Sequence, residues 1–154
     1  MKHATLATLG ALALLLLLAG CGGSSGGKEN TTGGSVTISA RSTSRFGDIL
    51  TGPNGHTLYV FGADRGGKST CYGSCAKVWP PLITRGAPSA GSGIPASKLG
   101  TIRRHDGSLQ VTYAGQPLYY YSADRAPGET KGAGKRSFGG RWYMVSQTGL
   151  RVGG

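Results

Sequence analysis

Apolar and polar positions fall into three regimes along the chain. Every residue from Ala11 to Leu18 is apolar. Gly22 to Gly34 holds only glycine and polar residues, so it has nothing to bury and reads as a flexible tether. From Ser35 onward, short apolar and aromatic runs alternate with breaks rich in glycine and proline. VTISARS, from Val36, alternates apolar with polar positions. LYVF, LQVTY, LYYY and RWYMV are rich in β-branched and aromatic residues, which predicts strands. Helical periodicity is nearly absent. One short helical turn is predicted at Pro95–Leu99 and another at Ser74–Val78, the second stopped by Pro80 and Pro81.

The strand pattern is written twice. LYVFGADR, Leu58 to Arg65, returns as LYYYSADR, Leu118 to Arg125, 60 residues later. In the first copy FGDIL and TGPNG lead into HTLYVF; in the second LQVTY and AGQ lead into PLYYYS. Each is an extended run, a glycine turn and a second extended run, which is the signal of a hairpin. Trp79 and Trp142 follow the two ADR phrases, and the loop Ala87–Pro95 separates the copies. The prediction is a mostly β domain over residues 35–154. It consists of two related antiparallel β-hairpin units, repeat 1 over 42–84 and repeat 2 over 101–152, packed as one small domain with at most short helical turns. A duplicated unit that cannot bury its apolar face alone packs against its copy.

Within the repeated phrase, alternation makes both faces apolar. Tyr59 and Phe61 share one face, as do Tyr119 and Tyr121, while Leu58, Val60, Leu118 and Tyr120 take the other. That suits central strands covered on both sides. Asp64 and Asp124 fall just past the strands, where a carboxylate accepts hydrogen bonds from the N–H groups of the following glycine-rich loop. The next residue, Arg65 or Arg125, is expected to pair with that carboxylate or lie on an aromatic ring. The two Asp do not read as a catalytic dyad, because each is followed by a bulky Arg rather than by space for a substrate. His56 and His105 are lone histidines in turns with no serine elbow around them, so no catalytic residues are assigned.

Composition adds two constraints. With 29 glycines, the seven tyrosines and two tryptophans must supply much of the buried area. The net charge is +11, or +10 without Lys2. Its densest groups, Arg103–Arg104 and Lys135–Arg136, are not interleaved with the aromatics that a single-strand binder needs, so no nucleic-acid partner is expected. A membrane surface, an envelope protein and an anionic cell-wall polymer remain as partner classes.

Lys2 and His3 precede the apolar run, which is too short to span a bilayer and has the length of a signal-peptide core. It ends in LAGC, Leu18 to Cys21, which resembles the lipobox of bacterial lipoproteins. That resemblance implies cleavage after residue 20, a lipid on the Cys21 thiol, and residues 21–34 as the tether of a protein anchored outside the cytoplasm on the cell membrane.

Y-x-F-x-x-D at Tyr59, Phe61 and Asp64, repeated as Tyr119, Tyr121 and Asp124, resembles the signature of predicted bacterial lipoproteins described as a secreted repeat of unknown function. CYGSCAKVWPPL, from Cys71, and GGRWYMV, from Gly139, are similar to the segments that follow the two copies. Tyr121 departs mildly, standing where Phe or Trp is often seen. The resemblance implies an envelope lipoprotein and no agreed activity. The expected function is therefore a lipid-anchored, non-enzymatic binding or scaffolding module.

Cys71 and Cys75 are the one soft-ligand cluster. In an exported protein their default is a disulfide, with Gly73 letting the loop close. The alternative is an extracytoplasmic copper-binding, thiol-redox or electron-transfer accessory role using this C-x3-C pair, with His56, His105 or Met144 completing a soft site. C-x-x-C-H for haem is absent, and no cofactor or metal is assigned.

Overall fold

The computed structural model of the protein describes residues 34–154. The predicted signal peptide, Cys21 and all of the tether but Gly34 lie outside the described residues.

The domain is mostly β. Strands β1 (Thr37–Thr43) and β2 (Gly47–Thr51) form an antiparallel hairpin, and β5 (Ser89–Ala90) adds to β1 in parallel. A second sheet is built on β10 (Gly140–Val145), flanked by β3 (Tyr59–Phe61) and β11 (Arg151–Val152), with β9 (Arg136–Ser137) closing a hairpin on its start. A third is built on β7 (Leu109–Tyr113), between β4 (Ile83–Thr84) and β6 (Leu99–Arg103), with β8 (Gln116–Pro117) folded back on it. The helical content is α1 (Ser74–Val78) and a 3₁₀ turn at Ala96–Lys98, both where proline and sequence pattern place them.

Both glycine turns form as expected. Gly55 N–H returns to Gly52 in the first, and Leu58 N–H bonds Leu50 C=O beyond it. The second is a tight reversal between β7 and β8 in which Ala114 (φ 48°) and Gly115 (φ 72°) are both left-handed, the conformation of a type I′ hairpin.

The two copies are interleaved rather than merely packed. β3 of the first copy pairs with β10 of the second, Phe61 opposite Trp142 and Tyr59 opposite Met144. β4 of the first copy pairs with β7 of the second. At the centre, Tyr59 and Tyr119 exchange N–H to C=O bonds at 2.8 and 2.9 Å, so the two phrases meet antiparallel at their tyrosines.

LYYY differs from expectation in one respect: it is extended but not a ladder strand. Its backbone serves several partners in turn. Leu118 bonds Val111, Tyr119 bonds Tyr59, Tyr120 N–H reaches Pro80 C=O and Ser122 N–H reaches Val78 C=O. Pro80 and Pro81 lack the N–H groups that a regular ladder on that side would require.

The two apolar faces of the phrases feed two cores. Leu58, Val60 and Leu118 join Ile38, Leu50, Val111 and Val145 in an aliphatic core, with Tyr120 packed against it. Tyr59, Phe61 and Tyr119 join Trp79, Trp142, Met144, Cys71 and Cys75 in an aromatic core, with Tyr121 against it.

Candidate functional site

The repeat motif closes on itself across the two copies. Tyr59 Oη donates to Asp124 Oδ2 at 2.6 Å, and Tyr119 Oη donates to Asp64 Oδ2 at 2.8 Å. Each tyrosine therefore serves the carboxylate of the other repeat. The loop N–H bonds expected from the sequence are also present. Thr70 donates to Asp64 Oδ1 through N–H and Oγ1, each at 2.8 Å, and Lys131 N–H donates to Asp124 Oδ1 at 3.0 Å. Both carboxyls are buried. Burial, reinforced by the carboxylate beside it, raises the Tyr59 phenol far above its ordinary value, and burial does the same to Tyr119. For Asp124 the loss of solvent outweighs its hydrogen bonds and raises its carboxyl.

Arg65 and Arg125 do not pair with these carboxylates. Arg65 donates instead to the backbone carbonyls of Gly62 and Asp64, and Arg125 offers its backbone N–H to Glu129. The carboxyls face inward and are already supplied with donors, so an exposed guanidinium has no route to them.

The third motif positions build an aromatic column. Trp79 and Trp142 stack at 3.9 Å with planes 2° apart; Phe61 stacks on Trp142 at 4.2 Å and Tyr121 on Trp79 at 4.3 Å. The order Phe61–Trp142–Trp79–Tyr121 again alternates between repeats. The symmetry breaks at the indole nitrogens. Trp79 Nε1 donates to Ser137 Oγ at 3.2 Å, whereas buried Trp142 Nε1 has no partner among the described residues.

Cys71 and Cys75 are joined in a disulfide, Cα atoms 5.2 Å apart, buried against this column. The bond leaves no thiolate pair for a soft metal. His56 stands edge-on to Tyr120, His105 stacks on Tyr72 at 3.6 Å, and Met144 is buried in the aromatic core. His56 and His105 line different clefts.

The largest of the clefts described, about 500 Å³, lies between the loop after Asp64 and the turn after β6. Lys68, Ser69, Tyr72, Arg103 and His105 line it. Behind its wall is Arg104, 3% exposed. Its Nη1 donates to Ser69 Oγ and to Gln110 Oε1, each at 2.7 Å, and its Nη2 to Cys71 C=O at 2.9 Å; the guanidinium also lies 4.1 Å from the centre of the Tyr72 ring. Ser69 Oγ is 2.7 Å from Tyr119 Oη. The single phenolic proton points to Asp64, so the serine donates to the phenol. A directed chain thus runs from Arg104 through Ser69 and Tyr119 to Asp64.

Sequence reasoning missed Ser69, Arg104 and Gln110. One signal was available: in LQVTY, Gln110 occupies an inward position beside a charged dipeptide on the paired strand, and a buried amide demands a partner.

A duplicated β domain whose copies brace each other through tyrosine and aspartate is the class that this geometry defines. The family described as a secreted repeat of unknown function matches residues 41–83 and 100–146, more than half of the chain, and the chain belongs to that family. No curated protein and no solved structure matches it. Among the described residues, no helix is long and apolar enough to cross a membrane.

Proposed function

We propose that the protein is a lipoprotein, anchored outside the cytoplasm through lipid on Cys21, whose domain is a non-enzymatic binding module for an envelope component. The tether, residues 21–34, gives it a reach of roughly 20 Å from the headgroups. One observation carries the non-enzymatic part of the reading. The Tyr59 and Tyr119 phenols and the Asp64 and Asp124 carboxylates are spent on each other inside the core, which supports a structural rather than a catalytic role for the repeat motif. What remains exposed is a strongly basic surface, suited to an anionic partner.

The lipid anchor is tested by expressing the full-length protein in a bacterium with labelled palmitate. Label and membrane fractionation should both depend on Cys21 and vanish in Cys21→Ala. A labelled Cys21→Ala protein, or a wild type released into the medium without label, refutes the anchor. The binding role is tested by cross-linking the anchored protein in intact cells. A reproducible envelope adduct is expected, and its absence counts against the module.

A further inference from the structure

Resting on the binding-module reading, we infer that the cleft between the Gly66–Ser69 loop and Arg103–His105 is an anion site that takes phosphodiester groups. Lys68, Arg103 and His105 converge there. Among the described residues the ion pairs are Arg104–Asp106 and Lys131–Glu129, so neither Lys68 nor Arg103 has a carboxylate partner. Asp106 does not line the cleft and is held by Ser108 N–H at 3.0 Å and Ser108 Oγ at 2.6 Å.

The second observation is the buried cation. Arg104 is out of solvent, and its one carboxylate neighbour is 3.4 Å away and half-exposed. A buried guanidinium with so little anionic compensation is costly, and it makes the wall beside Ser69 electropositive. Its nitrogens are already bonded to Asp106, Ser69, Gln110 and Cys71, so it acts on an anion in the cleft through its charge and not by contact. Gly66 and Gly67 also line the cleft, and among the described residues their N–H groups have no backbone carbonyl partner. Lys68, His105, Tyr72 and the Arg103 guanidinium, whose Nη1 also holds Gly107 C=O at 2.9 Å, approach from several directions. That arrangement fits a tetrahedral phosphate better than a planar carboxylate. The volume exceeds that of one phosphate, leaving room for the polyol or sugar it esterifies.

The test uses the mature anchored protein in non-ionic detergent with soluble poly(glycerol phosphate), and separately on phosphatidylglycerol/phosphatidylcholine vesicles against phosphatidylcholine alone. Lys68→Ala/Arg103→Ala should weaken binding at least tenfold, each lost contact being a charge-assisted one. Arg85→Ala/Arg136→Ala removes the same charge from exposed positions outside the cleft and should weaken it less than about threefold, as screened surface charges do. Loss of polymer binding alone identifies a soluble polymer as the source; loss of vesicle binding alone identifies a headgroup. Equal losses in the two double variants overturn the site and leave diffuse attraction. A wild type that binds neither probe overturns it as well. The module reading survives that result if cross-linking in cells still captures an envelope component.

Discussion

Tyr59→Phe should reveal the exchange between the repeats. The substitution keeps the ring against Trp79 and removes one hydroxyl, so no cavity opens. It deprives the buried Asp124 carboxyl of its 2.6 Å donor and leaves it the Lys131 N–H. A hydrogen bond to a charged group is worth about 1.5–3 kcal/mol, and the lower half applies here because one donor remains. For a domain of this size each kcal/mol lowers the midpoint by roughly 3–6 °C. The informative measurement is a pair of double-mutant cycles by thermal or urea unfolding. Tyr59→Phe with Asp124→Asn should show a coupling of about 1–2 kcal/mol. Tyr59→Phe with Asp64→Asn, the aspartate of the same repeat, shares no hydrogen-bond partner and should be additive within about 0.5 kcal/mol. Tyr119→Phe should reverse the preference, coupling to Asp64. Larger coupling within a repeat than across repeats would refute the brace.

The broken symmetry of the column predicts an asymmetry in stability: Trp142→Phe sheds an unpaired buried N–H and should cost about 1 kcal/mol less than Trp79→Phe, which forfeits the bond to Ser137. Equal losses in chemical denaturation would show that Trp142 Nε1 has a partner after all. Burial lifts the Tyr120 phenol from 10.0 to about 12. Its folded value lies above its unfolded one, so its contribution is complete below pH 10 and fades as pH rises toward 12. Tyr120→Phe should remove one tyrosinate from the late step of an absorbance titration and make alkaline destabilisation shallower; loss of a tyrosinate near pH 10 instead would contradict its burial.

Much of the architecture was legible in the chain, because the signals are local. Period-two alternation marked β1, and runs of β-branched and aromatic residues marked β3, β7 and β10; the glycine turns at Gly55 and Gly115 marked the hairpins; Pro80 and Pro81 ended the helical turn at Val78. The 60-residue offset announced the duplication, and the doubly apolar phrases foretold strands covered on both sides. The Asp to loop N–H bonds were local enough to foresee as well. Tertiary structure decided what lies between the copies. A repeat read alone satisfies its own tyrosine and aspartate as well in cis as in trans, so spacing cannot say that Tyr59 serves Asp124 and Tyr119 serves Asp64. The same holds for the four-ring column, whose neighbours come alternately from distant segments. The pair Arg103–Arg104 is the sharpest case. As sequence it is one basic dipeptide. In the fold, successive residues point to opposite sides, placing Arg103 in solvent and Arg104 among Ser69, Gln110 and Cys71, where the chain's long-range packing assigns one charge to the surface and the other to the core.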